Sequence, residues 1–187
     1  EAPVRVGTDL AEKFLRSPNL RAVTSQVDPL GLVQVVGGDP TIDAAHKGLV
    51  SIKDFVEKNG TVEGKKLLDV FSAPPFGWSQ DTLRYMVAAL LVAGEIKLKV
   101  SGRVVSVAGQ QAIDALKSNV SFKSVGVALR EDRPSNEVLA RAAKRLTDLS
   151  GEQIVPLEED ISKAAQKLLP ALQHQLAPLA ERLDGQI

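Results

Sequence analysis

The chain has 187 residues, of which 44% are hydrophobic and 25% are charged, so its composition is typical of a soluble globular protein and excludes the disordered and collagen-like classes. The 23 basic and 23 acidic side chains balance, so no overall electrostatic field draws the protein to nucleic acid or to a membrane surface. Cysteine is absent, which excludes disulfide frameworks, thiolate metal sites and cysteine nucleophiles.

Residues 1–38 are predicted to form an N-terminal extension. A short helix is expected over residues 9–15 and a β-like run over residues 32–36. The Gly37-Gly38 pair then interrupts the pattern and marks the start of the next segment.

Residues 39–119 are predicted to form a winged-helix-like domain, and its first two helices are indicated by their ends. Pro40 behind Asp39 favours a helix start, and apolar residues at steps of three and four continue that helix to Asn59. Thr61 is expected to cap a second helix, and the Pro74-Pro75 pair is expected to stop it.

A third helix and a β-hairpin complete this pattern. Ser79 is expected to cap a helix whose apolar residues recur at helical spacing as far as Gly94. Residues 96–100 alternate apolar and polar side chains, and residues 103–107 are expected to return as the partner strand after a Ser101-Gly102 turn. Three helices followed by a hairpin is the order of a winged helix-turn-helix.

Residues 120–187 are predicted to form a strand and a C-terminal helical bundle. The strand is expected within residues 120–129, after a helix at residues 110–117. Three helical patterns follow, separated by breaks at residues 151–156 and at Pro170. We therefore expect an α+β, mainly helical fold, with a winged helix-turn-helix core and a C-terminal helical extension.

Two groups of polar residues are candidates for contacting nucleic acid. In DNA-binding winged helices the third helix offers side chains to base edges, and Gln80 and Arg84 lie in the first turn and a half of that helix. Alternation places Lys97 and Lys99 on one face of the hairpin, where Arg103 would join them in contacting phosphates. Alternatives stay open for both groups. The apolar later turns of the helix favour burial, and lysines on a strand edge also protect against aggregation.

Phe76 and Trp78 lie in a turn, FSAPPFGW, that also contains two prolines and a glycine. If these aromatic side chains are exposed, the turn is an interaction surface, because aromatic anchors tend to dominate interface energetics. If they are buried, the turn is a rigid plug that joins two helices and packs on them.

Recognised motifs for catalysis, metal binding or cofactor binding are missing from the sequence. The two histidines have no partner at metal-ligand spacing, and the glycines do not form a nucleotide-binding or nucleophile-elbow motif. We therefore expect no catalytic residue, no metal site and no cofactor in this chain.

Residues 67–99, LLDVFSAPPFGWSQDTLRYMVAALLVAGEIKLK, resemble the large P-loop ATPases of bacterial BREX-type phage-defence systems, the BrxC and PglY proteins. Those proteins carry a similar APP motif, an aromatic residue, Gly-Trp and an apolar helix that ends in Ala-Gly, downstream of the nucleotide-binding core. The similarity continues more loosely to Gln153. The Walker lysine and its glycine loop are missing here, so the family's catalytic residues match no position in this chain.

The resemblance implies a non-catalytic module of a phage-resistance ATPase in the bacterial cytoplasm. Such a module would bind the backbone of duplex DNA weakly through the wing, or couple the ATPase to its other domains or to other phage-defence proteins. The alternative is a scaffold for protein interaction or oligomerisation with no nucleic-acid role. A membrane partner is not expected, because the longest apolar run, residues 86–93, is too short to cross a bilayer.

Overall fold

The computed structural model describes residues 5–131, 134 and 136–184, and it divides into two compact units, Glu1–Arg133 and Pro134–Ile187. The helices and strands of the first unit follow one another as α1 Leu10–Arg16, a 3-10 turn Leu20–Ala22, β1 Val33–Val36, β2 Asp39–Ile42, α2 Lys47–Asn59, β3 Val62–Glu63, α3 Gly64–Ser72, α4 Gln80–Val92, β4 Ile96–Val100, β5 Arg103–Val105, α5 Gln110–Leu116, α6 Asn119–Lys123 and β6 Gly126–Leu129. The second unit contains α7 Asn136–Ser150 and α8 Glu158–Asp184.

Strands β1 and β2 form a two-stranded antiparallel ribbon, which corrects the predicted helix start at Pro40. Gly37 and Gly38 have φ angles of 61° and 91° and form the tight turn, so Pro40 pairs with Val35. Paired glycines at positive φ favour a two-residue hairpin, and proline is tolerated in an edge strand. Helix α2 starts later, where the His46 side chain accepts a hydrogen bond of 3.2 Å from the Gly48 N–H.

The predicted helix cap at Thr61 is also wrong. The next two residues form strand β3, and α3 begins at Gly64. Strand β3 exists because Val62 and Glu63 pair with β6, more than sixty residues further along the chain. No pattern within a single helix can indicate such a distant partner.

A four-stranded antiparallel sheet has the order β3-β6-β4-β5. One row of paired residues, Val62, Val127, Leu98 and Val105, is buried and faces the helices. Strand β6 was expected to accompany the C-terminal helices, but it lies inside this sheet and within the first compact unit. The residues expected to be its first half instead form α6, which Ser118 caps through its hydroxyl.

Helix α4 lies at the centre of the first unit. Its start confirms the prediction for Ser79, whose hydroxyl accepts a hydrogen bond of 3.1 Å from the Thr82 N–H. Gly94, at a φ of 72°, follows its last turn. All residues from Thr82 to Val92 are buried, because helices α1, α2, α3, α5 and α6 and strand β4 all contact this helix. The order α2, α3, α4 and the β4–β5 hairpin is that of a winged helix-turn-helix with a mainly helical α+β fold.

The second unit contains two helices where three were predicted. Helix α8 continues through Pro170 and Pro178 without interruption. A proline inside a helix removes one backbone hydrogen bond, and a helix of 27 residues keeps many others. Helix α7 packs against α8 and buries its apolar stripe, which consists of Leu139, Ala143 and Leu146.

Candidate functional site

Arg84 was predicted to reach nucleic acid, but its side chain lies inside the protein with 1% of its surface exposed. Its Nε donates to the Asn119 side chain at 2.6 Å, one terminal nitrogen donates to the Leu116 carbonyl at 2.6 Å, and the other donates to the Thr8 carbonyl at 2.8 Å. Asp81 accepts a further charge-assisted hydrogen bond. Three of these four hydrogen bonds join α4 to two distant segments of the chain.

Gln80 is the exposed residue of α4, and no continuous polar face follows it. Helix α1 packs along α4, with the Phe14 ring meeting the Tyr85 ring edge to face at 5.4 Å between centroids. A helix that reads bases must place exposed polar side chains in the major groove. Because α1, α5 and α6 cover α4, this helix has no such surface in the described residues.

Lys97 and Lys99 lie on the outer face of the sheet, as predicted from their alternation. Lys99 is exposed and its Nζ donates to the Thr61 hydroxyl at 2.9 Å, whereas Lys97 is half-buried. Both lysines line a concavity of about 480 Å³ that also contains Glu57 and Glu131. The two acidic side chains offset the positive charge of the two lysines at this surface.

Arg103 does not join the two lysines. In the hairpin it pairs with Val100, and paired residues of antiparallel strands share a face. Val100 follows Lys99 directly, so its side chain and that of Arg103 project from the opposite face of the sheet. Arg103 instead lines a separate concavity with Gln111 and Asp114 of α5. The predicted group of three cations is therefore divided between two surfaces.

Asp114 carries the negative charge beside Arg103. The Lys117 ammonium, hydrogen-bonded to its carboxylate at 3.2 Å, holds the pKa of Asp114 below its usual range, and a hydrogen bond from Gln110 and the charge of Arg16 act in the same direction. Lys117 and Arg16 thus lower the pKa of one exposed carboxylate, and Arg103 lines the same concavity as that carboxylate. The sequence did not indicate this grouping, because the three cations come from different elements.

Trp78 packs in the core with 7% of its surface exposed. Its ring stacks on Phe71 at 4.8 Å with an angle of 18° between the ring planes, and Phe76 lies 4.7 Å from Phe71 and 5.3 Å from Trp78. The backbone N–H of Trp78 donates to the Phe71 carbonyl at 2.8 Å. The structure thus places the indole of Trp78 in the plug arrangement, and Phe76 remains half-buried at the surface.

A shallow groove of about 250 Å³ lies beside Phe76. Six residues line it: Ser51, Asp54, Phe55, Lys58, Phe71 and Phe76. Sequence reasoning missed Phe55, because this residue lies outside the buried stripe of α2 that the periodicity indicated. The signal that could have indicated Phe55 is the presence of an aromatic residue next to the aliphatic stripe of α2.

A buried pair, Asp28 and Tyr85, was also not predicted. The Asp28 carboxylate accepts backbone hydrogen bonds of 2.8 Å from Leu32 and Val33, and the Tyr85 hydroxyl donates to the same carboxylate. Burial raises the pKa of the Tyr85 phenol well above its ordinary value, and the neighbouring carboxylate raises it further. The pair attaches the N-terminal segment to α4, and Asp28 also lines a concavity of about 480 Å³ together with residues between Leu20 and Pro40.

Two kinds of feature are absent from the residues that the structure describes. Within those ranges, no group of three or more potential ligand side chains is arranged to hold a metal ion. None of the helices in the same ranges combines the length and the apolar composition needed to cross a bilayer.

Comparison with known proteins agrees with this architecture. Neither the curated proteins nor the solved structures include a significant match to the chain. A family model described as the BREX ATP-binding protein BrxC winged helix-turn-helix domain matches residues 39–131, from β2 to the residues that follow β6. Residues 39–131 of this chain therefore belong to the winged helix-turn-helix domain family of the BREX ATP-binding protein BrxC.

Proposed function

We propose that this chain is a non-catalytic coupling module of a bacterial phage-defence ATPase of the BREX type, acting in the cytoplasm. Its role is to connect the nucleotide-binding part of that ATPase to other domains or to other phage-defence proteins. Winged-helix domains are typically non-catalytic, which supports this assignment. The family membership of residues 39–131 supports the link to the phage-defence system.

The burial of α4 is the observation that favours coupling to other proteins over sequence-specific binding of DNA. The side chains of Thr82 to Val92 are buried in the core. Arg84 forms its hydrogen bonds with groups inside the protein. Exposing α4 to a DNA groove would require α1 to leave, which would uncover apolar surface and unpaired polar groups. Such an opening is too costly to be a binding step.

A second candidate is weak contact between the wing and the phosphate backbone of duplex DNA. It is supported by the exposure of Lys99 and Arg103, since phosphate contacts need positive charge and no base reading. It is weakened by the division of the wing cations between two faces and by the two glutamates beside Lys97.

Fluorescence anisotropy with duplex DNA, at low and at moderate salt, separates the two candidates. The test variant carries Lys97→Ala, Lys99→Ala and Arg103→Ala. The matched control removes three exposed lysines that lie outside the wing, with Lys47→Ala, Lys65→Ala and Lys123→Ala. If the chain acts only in coupling, the parent and both variants should give the same DNA anisotropy at each salt concentration. Salt-sensitive binding that is lost in the wing variant and kept in the control would establish the DNA candidate.

The coupling role itself is tested by calorimetric titration of the chain into the nucleotide-binding core of its parent ATPase. We expect saturable binding and a change in the rate of ATP hydrolysis when the module is present. If neither is seen with a folded module, the proposed coupling to the ATPase core is wrong.

A further inference from the structure

Three aromatic rings form a half-open cluster between α2 and the turn that precedes α4. Phe71 is buried, with the Phe55 ring 5.8 Å from it on one side and the Phe76 ring 4.7 Å from it on another. Phe55 and Phe76 remain half-buried and line the groove of about 250 Å³. Val50, 37% exposed, lies on the solvent side of the same helix. This surface therefore leaves part of two aromatic side chains in water, with the Lys66 ammonium 5.7 Å from the centroid of the Phe55 ring.

An exposed segment, here called the ridge, connects Phe71 to Phe76, two residues that line the groove. The four residues from Ser72 to Pro75 are all exposed and connect the end of α3 to Phe76. Ala73, Pro74 and Pro75 present small apolar side chains on a backbone that prolines restrict, so ordering the ridge against a partner loses little entropy. A groove and an apolar ridge on one surface are the two halves of an interface that can be formed with an identical surface.

The charges at the groove make it complementary to itself. Asp54 and Lys58 both line the groove and are exposed, one helical turn apart on α2. Neither has an ion-pair partner among the residues that the structure describes. When a second copy approaches through a two-fold axis, Asp54 of each copy can lie opposite Lys58 of the other. The net charge of zero leaves no overall repulsion between the copies.

We propose that the Phe55–Phe76 groove is a self-association surface, where a second copy of this chain docks about a two-fold axis. The Ala73–Pro75 ridge of each copy then covers the aromatic groove of the other, and Asp54 pairs with Lys58 across the interface. The surface is small, so the dimer forms at high local concentration. This inference does not depend on the proposed coupling to the ATPase core.

The test measures the weight-average mass of the chain by sedimentation equilibrium, from about 10 μM to about 1 mM, a range that detects weak dimers. The parent is expected to rise above the monomer mass of 20.0 kDa as its concentration increases. Asp54→Lys alone and Lys58→Asp alone should each weaken self-association by at least about tenfold, because like charges then meet across the axis. The double variant should restore it, and so should an equal mixture of the two single variants.

The matched control reverses Lys65 and Asp69, an exposed pair with the same spacing on α3 that does not line the groove. Self-association of this control should equal that of the parent. Circular dichroism establishes that each variant is folded, which is expected because all four positions are on the surface. A parent that stays monomeric over the whole range, or single reversals that leave the dimer unchanged, would overturn the proposal.

Discussion

At the scale of single residues, the buried Arg84 joins α4 to two distant segments of the chain by hydrogen bonds. Replacing it by alanine removes the Arg84 donor from two backbone carbonyls and from the side chains of Asp81 and Asn119, although Asp81 keeps a hydrogen bond from the Asn119 amide. Removing one partner of a buried charged network usually costs about 3 to 5 kcal/mol. We expect the free energy of unfolding of Arg84→Ala, measured by urea denaturation, to fall by about 3 kcal/mol.

Gln80→Ala is the control for this prediction. It changes an exposed side chain on the same helix, so its effect on stability should stay within about 0.5 kcal/mol. If Arg84→Ala unfolds at the same urea concentration as Gln80→Ala, the buried network does not hold the fold together.

The burial of Tyr85 leads us to expect that the fold loses stability in alkali. It is the only tyrosine, it is buried, and its pKa is raised by burial and by Asp28. A pKa that is higher in the folded state stabilises the fold below the pKa of the unfolded chain, near 10, and this stability is lost as the pH rises above about 10. We expect the parent to lose more stability than Tyr85→Phe between about pH 9 and pH 11.

The measurement combines denaturant titrations at the two pH values with phenolate absorbance. The absorbance should appear together with unfolding, since only the unfolded chain ionises readily. Reversible ionisation near pH 10 in a chain that keeps its native circular dichroism would show that the phenol is not buried as described.

At the scale of elements, Gly64 sets how closely α3 approaches α6. A Cβ atom at this position would lie 2.0 Å from the Phe122 carbonyl oxygen, which is a backbone atom and cannot move alone. We expect Gly64→Ala to lower the free energy of unfolding by about 3 kcal/mol, the upper range for overpacking.

Gly109→Ala is the matched control, because a Cβ there meets no atom within 4 Å and the φ of 171° is extended backbone. Its effect should stay below about 1 kcal/mol. If the two variants have the same melting temperature, α3 and α6 can move apart without loss of stability.

At the scale of the whole molecule, the core of the first unit is built around α4, which contacts five helices and two strands. Leu90 has no exposed surface, and its truncation to alanine should cost about 2 to 5 kcal/mol, as is usual for a buried leucine. Val50→Ala on the exposed side of α2 provides the comparison, with an effect within about 0.5 kcal/mol. A Leu90→Ala variant with the melting temperature of the parent would contradict the central position of α4.

The sequence predicted the winged-helix class because its signals are local. The cap at Ser79, the glycine after α4 and the Ser101-Gly102 turn each depend on a few neighbouring residues, and all three are present in the structure. The lysine alternation on β4 was predicted for the same reason. The apolar character of α4 also indicated burial, although it could not identify the elements that cover the helix.

Tertiary structure alone decided which side chains can meet a partner. The cover of α1 on α4, the place of β6 between β3 and β4, and the division of the wing cations all depend on contacts between residues far apart in the chain. The sequence thus determined the kind of domain, through periodicity, caps and turns that act within a few residues. The fold determined that Arg84 is a core residue and that the Phe55–Phe76 groove faces solvent, because burial depends on the packing of all elements together.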